Sequence, residues 1–428
     1  MGQAKSNSTG RSGPGLAAPG ARRRLLALWR RRPVRVTLAV ASVVCVGLVV
    51  LVAVGPSSVR DLRVSPGSGA AAGAAQVGTG ETAKGVAVST FPDQSNPPAV
   101  ALAGSGLGPG HGAYDALACT SAAVCVAVGV DADGLGVVAL TGNGGRSWSA
   151  PSLPASIPAL DAVACGDADH CVAVGRGVIV NSSDGGATWS VQDPPAANTT
   201  LLGVACESSQ CLATGVSPNP GGPYAPKMLR SGDSGATWAA VELQGGVLGL
   251  GSVACPTPSF CVAVGASLMV SGDGGQDWAP RSVAGGVAPL SSVSCSSPTD
   301  CVAVGPNPEG VLDGSLSGIA IETVDGGQSW VKESLPADTA SVQTVSCSPL
   351  GACTASGPGG TAGSPAPLVE QAGPVSAWVA APPPAGFTNV TALSCVSSTS
   401  CVAVGLAGNQ PSTALLNGGL WTTTAVAA

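Results

Sequence analysis

Paired cysteines are the residues of this chain with the clearest chemistry. Seven pairs account for 14 of the 15 cysteines, with five intervening residues in six pairs and four in one. Zinc or a metal cluster needs C-x2-C-like spacing or histidine partners, and the chain has only His111 and His170. The spacing therefore predicts disulfides rather than a metal centre, and no cofactor is expected. The pairs are Cys119 with Cys125, Cys165 with Cys171, Cys206 with Cys211, Cys255 with Cys261, Cys295 with Cys301, Cys347 with Cys353 and Cys395 with Cys401.

A tryptophan follows each cysteine pair, so the pairs belong to a sevenfold repeat. First cysteines of successive units lie 40 to 52 residues apart, about the length of a four-stranded propeller blade. The clearest unit, residues 160–195, predicts strands at 160–165, 171–175, 178–181 and 188–192. The sequence thus predicts an all-β fold, a seven-bladed β-propeller over residues 113–428. The tryptophans are Trp148, Trp189, Trp238, Trp278, Trp330, Trp378 and Trp421.

Each cysteine pair flanks the predicted turn between the first two strands of its unit. A hairpin brings such flanking residues close enough for a disulfide, so pairing is expected within each unit. Disulfides require an oxidising compartment. The motif CVAVG is expected to begin the second strand in five units, and its continuous run of small apolar residues indicates a strand buried on both faces.

The turn between the third and fourth strands carries a second motif, seen as SSDGGATW at 182–189. It resembles the Asp-box, or BNR, repeat of photosystem II assembly-factor-like propellers and of sialidases, and the resemblance covers about residues 113–428. We expect the aspartate to accept hydrogen bonds from its own turn, since one carboxylate supplies too few oxygens for Ca²⁺. The first unit has Asn143 instead, and the sixth and seventh units lack the aspartate, so irregular turns are expected there. The aspartates are Asp184, Asp233, Asp273 and Asp325.

The resemblance to sialidases implies a cluster of arginines and a tyrosine nucleophile. The propeller has four arginines and two tyrosines, which argues against a three-arginine clamp. Long insertions between second and third strands of the third and fifth units are the favoured binding loops. The leading hypothesis is a non-catalytic binding or assembly scaffold for a protein or cell-envelope ligand; the alternatives are a cryptic glycoside hydrolase and simple solvated loops. Candidate residues in these two loops are Tyr224, Lys227, Glu309 and Asp313, and the loop between the second and third strands of the first unit adds Asp131 and Asp133.

The N-terminal region is organised differently from the repeats. Residues 1–35 hold nine Lys/Arg and no acid, and Val36 to Val54 is an apolar or small-residue run of 19, long enough to cross a bilayer. Such a basic flank predicts a cytoplasmic tail and a single-pass signal anchor in the plasma membrane, with a cleaved signal peptide as the competing interpretation. Residues 55–112 are rich in Gly, Ala, Pro and Ser and predict a linker. Within it, GVAVSTF at 85–91 alternates like a strand. The last unit ends with its own fourth strand, so closure need not borrow an N-terminal strand; if it does, GVAVSTF is the segment expected to add to a blade edge.

The net charge of the chain after residue 35 argues against nucleic acid as a partner. The nine N-terminal cations leave nine Lys/Arg against 24 Asp/Glu in the rest of the chain, a net charge of 9 − 24 = −15. An exported region this acidic is not expected to bind nucleic acid. The high content of Ala, Gly, Val and Arg is typical of a high-GC bacterial genome.

Overall fold

The structure, a computed structural model, describes residues 113–154, 156–192, 194–195, 198–218, 224–283, 289–307, 317–337, 339–361 and 363–425. The predicted tail, membrane anchor and linker lie outside these residues, and so do Glu309 and Asp313. Within the described ranges, no helix is long and apolar enough to cross a membrane.

The described chain forms seven antiparallel sheets, each built from consecutive strands, and the predicted seven-bladed propeller is confirmed. The first blade has β1 (Tyr114–Cys119), β2 (Cys125–Val130) and β3 (Gly136–Thr141). The second has β4 (Leu160–Cys165), β5 (Cys171–Gly175), β6 (Val178–Ser182) and β7 (Ser190–Gln192). The third has β8 (Thr200–Glu207), β9 (Gln210–Ser217), β10 (Ala225–Ser231) and β11 (Ala239–Ala240). The fourth has β12 (Leu250–Ala254), β13 (Cys261–Gly265), β14 (Leu268–Ser271) and β15 (Ala279–Arg281).

The remaining three blades follow the same order. The fifth has β16 (Ser292–Cys295), β17 (Cys301–Pro306), β18 (Gly318–Thr323) and β19 (Val331–Glu333). The sixth has β20 (Thr344–Cys347), β21 (Cys353–Ser356), β22 (Leu368–Gln371) and β23 (Val379–Ala380). The seventh has β24 (Phe387–Ser397), β25 (Ser400–Ala407), β26 (Gln410–Asn417) and β27 (Leu420–Ala425).

The first blade departs from the prediction that every unit forms four strands. Its fourth strand is reduced to one bridge, in which Ser149 exchanges main-chain hydrogen bonds of 2.8 and 2.9 Å with Leu140. Pro151 and Pro154 follow, and proline has no N–H to donate to a ladder. The prediction of a fourth strand was therefore wrong for this blade.

The hydrophobic core consists of seven clusters, each shared by two neighbouring blades. In one, Trp189 of the second blade packs with Val126 and Val128 of the first. The cluster that closes the ring joins Trp148 of the first blade to Val402 of the last. The ring therefore closes by packing between blades, because both end blades are built from contiguous chain in the described residues.

Every cysteine pair is bonded within its own blade, which confirms the predicted pairing. The S–S distances run from 2.03 to 2.14 Å and the Cα–Cα distances from 4.0 to 4.2 Å. Each disulfide joins the first strand of a blade to the second near the turn between them, so it locks the inner hairpin. The bonds are Cys119 to Cys125, Cys165 to Cys171, Cys206 to Cys211, Cys255 to Cys261, Cys295 to Cys301, Cys347 to Cys353 and Cys395 to Cys401.

Two of these disulfides lie inside the hairpin ladder rather than at its end. In the third blade, Cys211 is the second residue of β9, because Glu207 and Gln210 pair beyond the disulfide. In the seventh blade, Cys401 is likewise the second residue of β25, since the Ser397–Ser400 pair extends the ladder. The prediction that CVAVG begins the second strand was therefore wrong by one residue at Cys401. In every blade except the fourth, the disulfide joins residues that are also partners in the strand ladder.

The aspartate turns are closed by internal hydrogen bonds, as the motif predicts. Asp184 Oδ1 accepts the amide N–H of Thr188 at 2.8 Å, and Asp184 Oδ2 accepts the Thr188 hydroxyl at 2.6 Å. In the fifth blade, the hydroxyl of Ser329 and then its amide lower the pKa of Asp325 to about 2. In the first blade, Asn143 Oδ1 accepts the corresponding N–H at 2.9 Å. These side-chain oxygens are occupied by their own turns.

The turns of the sixth and seventh blades, which have neither aspartate nor asparagine at this position, are held in different ways. In the seventh blade, Gly418 and Gly419 form a two-residue hairpin with φ of 63° and 85°, so the expected irregular turn was wrong there. In the sixth blade, Glu322 reaches across from the fifth blade. Its carboxylate accepts the Val375 N–H at 3.0 Å and Nε2–H of Gln371 at 3.1 Å. A neighbouring blade thus replaces the missing aspartate.

Candidate functional site

The two faces of the propeller carry different kinds of turn. We define the loop face as the one that carries the turns between second and third strands, where each inner strand begins. The opposite face carries the disulfides and the aspartate turns, and we call it the disulfide face. Among the candidate binding residues predicted from the sequence, Asp131, Asp133, Tyr224 and Lys227 belong to the loop face, and Glu309 and Asp313 lie outside the described residues.

Among the described residues, no hydrogen bond or ion pair joins Asp131 or Asp133 of the first blade to the candidates of the third blade. Asp131 Oδ1 accepts the amide N–H groups of Asp133 and Leu135 at 2.9 and 2.8 Å, so it shapes its own turn. The Asp133 side chain is exposed. Asp131 therefore has a structural role that the sequence did not predict.

The third-blade candidates flank the start of β10. Tyr224 directly precedes this strand and is 60% exposed. Lys227 lies within β10, opposite Gly215 of β9, and is half-buried. Seven residue pairs join β9 to β10 in an antiparallel ladder, and the exposed ring of Tyr224 lies directly before it.

Two aspartates that were not predicted as site residues from the sequence lie on the inner strands of the first two blades. Asp115 lies in β1 and Asp161 in β4, and each is the extra residue of a β-bulge at the loop-face end of its strand. A bulge leaves its extra residue outside the ladder and re-aims the side chain. The two strands lie against each other in the ring.

The environment of these two carboxyl groups favours their neutral forms. Burial is the main cause that raises the pKa of Asp115 to about 6; the charge of Asp161 adds to the rise, and Arg176 opposes it. Burial also raises the pKa of Asp161 to about 6, again against Arg176. Asp161 Oδ2 is buried and has no hydrogen-bond partner among the described residues. The pair can hold and release protons near neutral pH.

A sequence signal for this pair exists in the repeat alignment. Asp115 and Asp161 each follow the large residue that opens an inner strand, in YDALAC and LDAVAC. Only these two units have an acid at that position. The equivalent residues of the other blades are Leu202, Gly251, Ser291, Gln343 and Thr391.

Three of the four propeller arginines are occupied by main-chain carbonyls. Arg146 donates to the carbonyl of Asn143 at 3.0 Å. Arg230 and Arg281 each donate from Nε to a glycine carbonyl in the aspartate turn of the following blade, at 2.8 and 2.9 Å. Arg176 alone stands by the acid pair, so the three-arginine clamp of a sialidase is not assembled.

A polar cleft of about 680 Å³ opens on the loop face of the fifth blade. Asn307, Lys332 and Glu333 contribute to its lining. Burial, followed by the charge of Glu322, raises the pKa of Glu333. The cleft lies at the base of the insertion predicted to bind a ligand. In the part of the chain that the structure describes, no group of three or more His, Cys, Asp or Glu is arranged to hold a metal ion.

No protein-family model and no curated protein matches the chain. Solved structures with a similar fold include an ancestral GH74 enzyme, with 13% identity and a TM-score of 0.56, covering 74% of this chain and 47% of that one. The GH74 xyloglucanase from Xanthomonas campestris has 16% identity and a TM-score of 0.54, covering 74% of this chain and 55% of that one. The chain thus spans about half the length of these enzymes.

YCF48 bound to a D1 peptide is also similar, with 16% identity and a TM-score of 0.47, covering 62% of this chain and 80% of that one. At these identities a likeness concerns the fold and not the activity. The two GH74 structures confirm the predicted β-propeller resemblance at the level of the fold.

Proposed function

We propose that this chain is an exported, membrane-anchored propeller that binds a protein or cell-envelope ligand through its loop face and acts as a non-catalytic scaffold. The observation that carries this proposal is Tyr224, which is 60% exposed on the ordered base of the third-blade insertion. Aromatic residues are only 3% of the chain, and tyrosine is enriched at binding interfaces. The arginines also support a non-catalytic role, because three of the four in the propeller donate hydrogen bonds to main-chain carbonyls.

Replacing Tyr224 and Lys227 by alanine should reduce capture of the ligand by tenfold or more, because a central aromatic contact is worth about 1.4 kcal/mol or above. The measurement is the amount of each envelope component retained by the full-length protein. Leu350→Ala is the matched control, since Leu350 is 83% exposed on the disulfide face. Equal capture by the Tyr224/Lys227 variant and the wild type, at unchanged melting temperature, would place the binding surface elsewhere.

Anchoring is a separate part of this proposal and rests on the apolar run Val36 to Val54 with its basic flank. The full-length protein should stay in the membrane fraction after alkaline carbonate washing. Protease added outside intact cells should remove the propeller and leave the basic tail protected. Release by carbonate would contradict the anchor.

The acid pair supports a second candidate function, glycoside hydrolysis. Glycosidases use two carboxyl groups, one of them protonated at working pH, and Asp115 and Asp161 both titrate near pH 6. In that case Asp115→Asn and Asp161→Asn should each lower hydrolysis of β-glucans or aryl glycosides by about a hundredfold or more. Hydrolysis that is absent in the wild type, or unchanged in both variants, would exclude this candidate.

A further inference from the structure

The outer edge of the seventh blade differs from the outer edges of the other blades. Its last strand, β27, pairs along six residues and contains neither proline nor a charged residue. The first blade ends in a bridge only, and the outermost strands β7, β11 and β23 have just two or three residues. Proline or charged residues occupy β15 and β19. Short or charged edges resist further strand pairing, whereas a long neutral edge invites it.

Hydrogen bonding in the last hairpin shows which groups of β27 face outward. In a two-residue hairpin, the residues that flank the turn, here Asn417 and Leu420, form a hydrogen-bonded pair. Because bonding alternates along a strand, the main-chain groups of Trp421, Thr423 and Ala425 point away from β26. No main-chain hydrogen bond joins these groups to any other described residue. The edge therefore offers a row of free donors and acceptors.

The chain that precedes the propeller starts close to this edge. β1 begins on the loop face, and β27 ends on the same face in the neighbouring blade. The distance from an inner strand to the outer edge of the neighbouring blade is about 20 to 25 Å, because neighbouring strands lie about 4.8 Å apart and packed sheets about 10 Å apart. Residues 92–112 number 112 − 91 = 21. A flexible coil of this length spans about 25 Å.

The segment that precedes residues 92–112 has the composition of a strand. Residues 85–91, GVAVSTF, alternate between small and larger residues and carry no charge and no proline. The surrounding linker is rich in Gly, Ala and Pro, so this is the part of it best suited to pairing. Its uncharged side chains match the uncharged edge of β27.

We propose that residues 85–91 pair with the outer edge of β27 as a fifth strand of the seventh blade. The added strand satisfies the outward groups of Trp421 and Thr423 and protects an edge that would otherwise pair with another chain. It also shortens the free tether between the predicted anchor and the propeller to residues 55–84.

Hydrogen exchange of the full-length protein tests this pairing. We expect amide exchange in the peptide that covers β27 to be about tenfold or more faster after Val86→Pro and Val88→Pro, because proline in 85–91 removes donors from the added ladder. Ala101→Pro with Ala103→Pro is the matched control, since it introduces the same number of prolines outside residues 85–91. Peptides from β17 and β18 should be unchanged in both variants.

Three other results would overturn the proposal. Slow amide exchange of β27 that persists in the variant with Val86→Pro and Val88→Pro would show that another partner covers the edge. Fast exchange in the wild type as well would show that the edge is open. Protection that appears only at concentrations where sedimentation detects a dimer would identify a second copy of the chain as the occupant.

Discussion

Gly175→Ala should lower the free energy of unfolding by about 2–4 kcal/mol, because there is no room for a methyl group at this position. A Cβ on Gly175 would lie 2.0 Å from the main-chain carbonyl oxygen of Ala159 and 3.0 Å from Cα of Leu160. These are backbone atoms of the preceding inner strand and cannot rotate away. The methyl group must therefore push the inner strand from the second strand. Urea unfolding of the full-length protein, followed by tryptophan fluorescence, measures the effect.

Gly251→Ala is the control for this substitution. A Cβ there would meet no atom within 4 Å, and the residue does not have a positive φ. We expect its unfolding midpoint to stay close to that of the wild type. An unfolding midpoint of Gly175→Ala equal to that of the wild type would contradict the close approach of the Ala159 carbonyl.

The same contact recurs around the ring. The glycine that ends the CVAVG-type motif faces a main-chain carbonyl in all seven blades, with 2.0 to 2.7 Å between the carbonyl oxygen and the position that a Cβ would occupy. The inner strand bulges just beyond this carbonyl in most blades. The bulge that carries Asp161 thus depends on Gly175. Gly175→Ala should also weaken the pH dependence described next.

Stability should rise by about 1–2 kcal/mol when the pH falls from about 7.5 to about 5, because of Asp115 and Asp161. Their folded-state pKa of about 6 exceeds the ordinary aspartate value of 3.8, so the folded protein binds protons more tightly than the unfolded chain. The penalty for ionising them is fully present above pH 6 and is relieved as the pH falls towards 4. The turn aspartates have lowered pKa values and oppose this trend only at lower pH.

Urea unfolding at the two pH values measures this effect. Asp161→Asn should raise the stability at about pH 7.5 and flatten the dependence, because the neutral amide carries no ionisation penalty. Asp133→Asn is the control, since its side chain is exposed on the neighbouring turn. A slope that is the same in Asp161→Asn and in the wild type would contradict the assigned role of the pair.

Local patterns in the sequence determined the repeating unit. Strands of the second blade begin and end within two residues of their predicted positions, and Cys165 pairs with Cys171 as expected. These features depend on residues a few positions apart, since a hairpin and its disulfide form within one short segment. The same holds for Asp184, whose hydrogen-bond partners lie within four residues.

Contacts between blades were decided only by the tertiary structure. Trp189 follows the aspartate turn of its own unit and its Nε1–H donates to the Gly186 carbonyl at 2.9 Å, but its ring packs on Val126 of the preceding blade. Asp115 and Asp161 are 46 residues apart in sequence, and the charge of Asp161 acts on Asp115 only because the first two blades pack against each other. A repeat pattern fixes what each unit contains; the stacking of units determines which residues meet, because those contacts join positions that no local periodicity relates.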